Sequence, residues 1–148
     1  MQTAPTLTQE EYRRLAQLRH GQRQFLHWSA EQARRVGLTS TQHQLLLGIR
    51  AHEDPAGPTI SQIAEFLLIR HHSAVELVDR AQAAGLTERR RHAEHLSQVH
   101  VTLTPLGEDK LRALTEIHLR ELAQLAPTMS ALWSAVAQAA AAAPGAAR

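Results

Sequence analysis

Residues 59–90 read TISQIAEFLLIRHHSAVELVDRAQAAGLTERR, and the spacing of their apolar residues predicts two helices joined by a short turn. Thr59 and Gln62 form a capping-box pattern, which predicts the start of the first helix. A turn near 68–70 precedes the second helix, whose apolar face contains Ala74, Leu77, Val78 and Ala81. Gly85 predicts the end of that helix, because glycine readily takes the left-handed conformation that follows helix C-termini.

The residues that follow change from helical to alternating periodicity. Residues 86–90 predict a short strand, and a second, half-buried strand is predicted from the apolar alternation of Val99, Val101 and Leu103. The polar stretch 91–98 is expected to form the hairpin tip, and His100 is expected on the polar face of its strand. A helix, a turn, a helix and then a hairpin make a winged helix-turn-helix layout.

Helices are also predicted before this core. Thr8 with Glu11 opens a helix of about 28 residues, which ends at Gly37. A further helix starts at Thr39 with Gln42 and runs to about residue 52. The stretch 53–58 contains two prolines and one glycine, and it predicts a break.

Two more helices are predicted after the hairpin. Thr104 and Pro105 predict the start of a leucine-rich helix, because proline fits the first helical position. Pro127 and Thr128 predict a break, and an alanine-rich helix follows from about residue 130 to 143.

Composition restricts the classes of function. The chain has 148 residues, a net charge of +2 and no cysteine, which predicts one domain and excludes disulfides, thiolate metal sites and thiol nucleophiles. No apolar stretch approaches the roughly 20 residues of a membrane span, and no signal peptide is recognisable, so a cytoplasmic protein with no membrane partner is expected. No phosphate-binding glycine loop or nucleophile elbow is present, so we expect neither an enzyme nor a cofactor.

Together with VTLTPLG at 101–107, the opening stretch resembles the DNA-binding core of MarR-type transcriptional regulators. The residues that carry the resemblance are Val78-Asp79-Arg80, Gly85-Leu86 and the Leu-Thr-Pro-Leu-Gly run at 103–107. The resemblance implies one MarR-like domain over 1–148, all-α with a small β-hairpin. Its parts would be a winged helix-turn-helix core at 38–104 and dimerisation helices at 8–36 and 105–143.

The same resemblance implies a function. It implies a homodimeric, sequence-specific transcriptional regulator, a repressor, that binds double-stranded DNA at a palindromic operator. Two-fold symmetry would place the half-sites about one helical turn apart. A small aromatic or anionic effector would release the DNA by favouring a conformation with differently spaced DNA-reading heads.

Candidate DNA-contacting side chains lie on the second helix of the pair and at the base of the wing. The helix candidates are Arg70, His71, His72, Ser73, Glu76 and Arg80. Ser73 and Glu76 are candidates for base edges, since a glutamate can accept from a cytosine amino group. Arg89, Arg90 and Arg91 are candidates for neutralising phosphates. The alternatives are a solvated helix face, a solvated turn, and an ion pair between Arg80 and Asp79.

The wing departs from the family pattern. The family commonly has an Asp-Arg-Arg run shortly before the second wing strand, where this chain has His95, Leu96 and Ser97. The departure keeps open an alternative function, a winged-helix protein-interaction module that does not bind DNA.

Histidines and aromatic residues supply the remaining candidates. Effector-pocket candidates, chosen as aromatic or polar residues among apolar neighbours, are Phe25, Trp28, His43 and His118. Ten histidines leave a histidine-based metal-responsive regulator as a further alternative. No metal site is predicted, however, because the histidines lack a metal-binding spacing.

Overall fold

The structure, a computed structural model, describes residues 7–92 and 95–142, without the side chains at 92, 95 and 96. Five helices and one antiparallel two-stranded ribbon follow in chain order: α1 (Gln9–Arg35), α2 (Ser40–Arg50), α3 (Ile60–Leu67), α4 (His71–Ala83), β1 (Thr87–His92), β2 (His95–Leu103) and α5 (Pro105–Ala142). The expected class, all-α with a small hairpin, is confirmed. None of the helices described here has the length and apolar character needed to cross a membrane.

The chain divides into two compact units. The first, here called the helical unit, consists of residues 1–29 and 118–148, and the second, the winged unit, of residues 30–117. The winged unit contains α2, α3, α4 and the ribbon, together with the end of α1 and the start of α5. The helical unit contains the rest of α1 and α5.

The core of the winged unit is aliphatic. Its fully buried large side chains are Leu45, Leu46, Val78, Leu86, Val101 and Leu114, which come from helices and ribbon alike. Burying an aliphatic side chain of this size contributes about 1.5–3 kcal/mol. The core therefore fixes α4 and the base of the ribbon relative to α2 and α3.

Capping boxes set the starts of the first three helices, as predicted. Gln42 N donates to Thr39 Oγ1 at 3.1 Å, and Thr59 forms the same reciprocal pattern with Gln62. At α1, Thr8 N and Oγ1 donate to the Glu11 carboxylate. These hydrogen bonds lower the pKa of Glu11 below its ordinary value of 4.5.

Gly37 ends α1 as the sequence predicts. Its φ of 77° is left-handed, and Leu38 N donates to Ala33 O at 2.9 Å across the helix end. Gly37 N donates to Arg34 O at 3.0 Å. This pair of bonds is the Schellman arrangement, which satisfies carbonyls that would otherwise be left without a partner.

The prediction of a break at Pro127 and Thr128 is wrong. α5 continues through Pro127 as one helix of 38 residues. A proline inside a helix costs about 3 kcal/mol and removes a single hydrogen bond. Strong helix formers on both sides oppose that cost, and within the helical unit Met129 packs close to Gly21 of α1.

The ribbon is longer than predicted, and one of its residues lies on an unexpected face. Residues 91–98 were expected to form the tip, yet Arg91 pairs with Val99 and β1 reaches His92. Strand pairing in an exposed ribbon needs backbone hydrogen bonds and no apolar alternation. His100, expected to be on a polar face, is buried because the 57–59 loop covers it, and its Nδ1 donates to Gly57 O at 2.8 Å.

Candidate functional site

One face of α4 is buried and the opposite face is exposed. The buried residues are Ala74, Leu77, Val78 and Ala81, as the sequence predicts. His72, Glu76 and Arg80 follow at intervals of four and therefore lie along one exposed line. Ser73 is half-buried. Arg80 Nη1 lies 4.0 Å from Glu76 Oε2, whereas the Asp79 carboxylate binds Arg89, so the predicted alternative of an ion pair between Arg80 and Asp79 is wrong.

The N-terminus of α4 differs from those of the preceding helices. Arg70 is its N-cap residue, has extended backbone angles and makes no side-chain capping hydrogen bond in the described chain. The first amides of α4 therefore lack a side-chain acceptor, beside the exposed side chains of Arg70, His71 and His72. Amides of this kind, together with the helix dipole, favour an anion such as a phosphate.

A left-handed residue connects α3 to α4. Leu68 has φ 55° and ψ 42°, and its N–H donates to Glu65 O at 3.2 Å. Glycine is the usual residue in this conformation, which costs other residues about 1–2 kcal/mol. The turn nevertheless forms because Ile69 N also bonds back to Ala64 O at 3.0 Å and buried α3 and α4 side chains secure both ends.

The three wing arginines separate onto two faces of the ribbon. Arg89 pairs with Val101 and Arg91 with Val99, whereas Arg90 pairs with His100 on the other face. The Arg89 guanidinium binds Asp79 of α4, and Arg90 forms an ion pair with Glu88 on its own strand. Arg91 is exposed. The structure thus brings Arg89 to α4, and it separates Arg90 from its two neighbours.

Three of the four predicted pocket residues come together in the helical unit. The rings of Trp28 and His118 are 4.9 Å apart, and the Phe25 ring lies 5.9 Å from that of Trp28. Ser29 Oγ and His118 Nε2 form a buried hydrogen bond of 2.7 Å. An open cavity of about 560 Å³ is lined by Phe25 and Trp28. The fourth residue, His43, is buried on α2 in the winged unit.

Sequence reasoning missed the contact of Arg89 with Asp79 and Gln82. The signal that could have revealed it is the spacing of Asp79 and Gln82, which places two acceptors on adjacent turns of α4. The side chains of His95 and Leu96, where the wing departs from the family pattern, lie outside the described residues. No group of three histidine or acidic side chains suited to a metal is found among the described residues.

Comparison with known proteins extends these observations. A family model described as the MarR family matches residues 36–96, which span α2, α3, α4 and β1. No curated protein sequence matches the chain.

Several solved structures share the fold. AbsC, a MarR family transcriptional regulator from Streptomyces coelicolor, has a TM-score of 0.70 at 17% identity, covering 82% of this chain and 81% of its own. YusO from Bacillus subtilis has a TM-score of 0.64 at 18% identity, covering 94% and 100%. A mutant of MepR from Staphylococcus aureus, bound to an oligodeoxyribonucleotide, has a TM-score of 0.62 at 20% identity, covering 74% and 78%. Together, these comparisons show that residues 36–96 match the MarR family model and that the chain has the winged helix-turn-helix fold of these structures.

Proposed function

We propose that this chain is a DNA-binding transcriptional regulator that inserts α4 into the major groove. The observation that carries the proposal is the exposed line of His72, Glu76 and Arg80 on the second helix of a winged helix-turn-helix. Such a helix reaches base edges from its N-terminal part, while a wing contacts the neighbouring backbone. The DNA-bound MepR mutant is consistent with this use of the fold.

Phosphate binding would come from the N-terminus of α4 and from the wing. The first amides of α4, which the Arg70 side chain does not cap, provide neutral donors, and the exposed Arg91 provides positive charge. Such contacts position the protein without reading sequence. Base contacts would come from Ser73 and Glu76, with His71 and His72 beside the phosphates.

The first experiment measures binding to a labelled duplex from the region upstream of the gene, by fluorescence anisotropy at several salt concentrations. We expect Arg80→Ala to weaken binding about tenfold, because it removes a cation from the exposed line of α4. The control is Arg112→Ala, which removes an exposed arginine from α5, where it already pairs with Asp109. Absence of binding by the unaltered protein at low salt would favour the protein-interaction module instead.

A homodimer is the second part of the proposal. The helical unit exposes large apolar side chains, namely Tyr12, Leu15, Leu26, Leu119, Leu122 and Trp133. Patches of this kind mark protein interfaces, and a second copy would cover them. Light scattering is expected to give twice the chain mass of 16.4 kDa. A dimer on a palindromic operator would repress transcription by excluding polymerase.

The aromatic cluster of the helical unit is the proposed effector site. Phe25, Trp28 and His118 offer ring faces and edges, and the adjoining cavity of about 560 Å³ is large enough for a single-ring ligand. An anionic or phenolic molecule that binds better to a conformation with low DNA affinity would release the operator. Benzoate and phenol are suitable first probes in the anisotropy assay.

A further inference from the structure

The guanidinium of Arg89 spans the gap between the wing and α4. Its Nη2 lies 2.5 Å from Asp79 Oδ1, and its Nη1 donates to Gln82 Oε1 at 2.8 Å. The Arg89 side chain is 28% exposed, whereas that of Arg90 on the opposite face is 62% exposed. Two nitrogens of the Arg89 guanidinium therefore already bind acceptors within the protein.

This geometry constrains orientation as well as distance. Asp79 and Gln82 are three residues apart, so their acceptors lie on neighbouring turns of α4. A planar guanidinium that binds two separate acceptors is restricted in rotation as well as in position, which an ammonium group is not. Arg89 also lies on the ribbon face of Val101, which is completely buried. The side chain that binds both acceptors therefore extends from the fixed base of the wing.

We propose that Arg89 is a positioning residue that sets the angle between the wing and α4 and does not neutralise a DNA phosphate. A phosphate would have to displace the Asp79 carboxylate to reach the same nitrogens. This inference rests on the proposed function and refines it, because it removes Arg89 from the three predicted phosphate-binding arginines and leaves exposed Arg91 in that role.

The two roles predict opposite effects of Asp79→Ala on DNA affinity. If Arg89 bound phosphate, then Asp79→Ala would free its charge and tighten DNA binding. If Arg89 positions the wing, Asp79→Ala weakens specific binding, because α4 and the wing no longer contact the operator together. We expect about a tenfold loss of operator affinity for Asp79→Ala and for Arg89→Ala, and no further loss for the double variant.

Salt dependence distinguishes the two roles when it is measured in an Arg91→Ala background, because the wing contact that depends on positioning is then already absent. Each phosphate contact contributes about 0.9 to the slope of log affinity against log salt concentration. We expect the slope to fall by about one contact in Arg91→Ala, the matched control, and to fall no further in the Arg89→Ala/Arg91→Ala double variant. Arg89→Lys is expected to recover only part of the operator affinity lost in Arg89→Ala, since an ammonium group cannot bind Asp79 and Gln82 in the fixed planar geometry of a guanidinium.

A slope reduced by a second contact in the Arg89→Ala/Arg91→Ala variant, or tighter binding by Asp79→Ala, would overturn the proposal. A measurement without DNA separates this outcome from failure of the proposed function. The urea unfolding midpoints of Asp79→Ala, Arg89→Ala and the variant that carries both substitutions form a double-mutant cycle. Non-additive midpoints are expected, and strictly additive ones would show that the two residues do not act as a pair, whatever the protein binds.

Discussion

Gly107→Ala is expected to destabilise the winged unit by about 3 kcal/mol, the upper part of the range for overpacked sites. A Cβ at this position would lie 2.1 Å from the carbonyl oxygen of Leu86. That oxygen already accepts from Thr104 N at 3.1 Å, so backbone on both sides would have to move. The lower urea midpoint would be measured by circular dichroism.

Gly48→Ala is the matched control for this substitution. Gly48 also lies within a helix, and its added Cβ would lie 2.6 Å from ring atoms of Phe66. The Phe66 side chain is exposed and can rotate away, and alanine gains up to about 1 kcal/mol of helix propensity over glycine. We expect a stability close to that of the unaltered protein. Equal stabilities for the two variants would contradict the role assigned to the Leu86 contact.

Glu76→Gln is expected to reduce discrimination between the operator and unrelated duplex by about tenfold, within the range for one base contact. Glu76 is 67% exposed and lies in the line of His72 and Arg80, where its carboxylate can accept from a cytosine amino group. Removing its charge also lessens repulsion by phosphates, so affinity for unrelated duplex should rise. The measurement is anisotropy with both duplexes at one salt concentration.

Glu65→Gln provides the charge-matched control for that experiment. Glu65 is an exposed acid on α3, outside the line on α4. It should change affinity for the two duplexes by the same factor, because it alters only the overall charge. If both variants changed the affinities in parallel, Glu76 would have no part in reading bases.

Local signals predicted much of the winged unit correctly. The capping pairs at Thr39 and Thr59 located two helix starts, because side-chain capping depends on residues only three apart. Gly107, part of the pattern that carried the family resemblance, lies where α5 passes the Leu86 carbonyl. Its place in the sequence pattern thus has a steric reason that becomes visible only in three dimensions.

The errors arose where distant parts of the chain decide the outcome. Pro127 predicts a break on local grounds, but neighbouring helix formers and packing against α1 keep α5 continuous. His100 alternates with apolar residues and predicts a polar face, yet a loop 43 residues earlier covers it. The partners of Arg89 on α4 were also missed, because finding them requires the strand register.

The loop that covers His100 has a consequence for how the wing unfolds. Val101 N bonds to Pro58 O at 2.9 Å on one side of β2, while Arg89 of β1 binds α4. The base of the ribbon therefore cannot open without also breaking contacts with α4 and with the segment that precedes α3. It belongs to the same cooperative unit as the core, and its amides should exchange with solvent mainly through global opening.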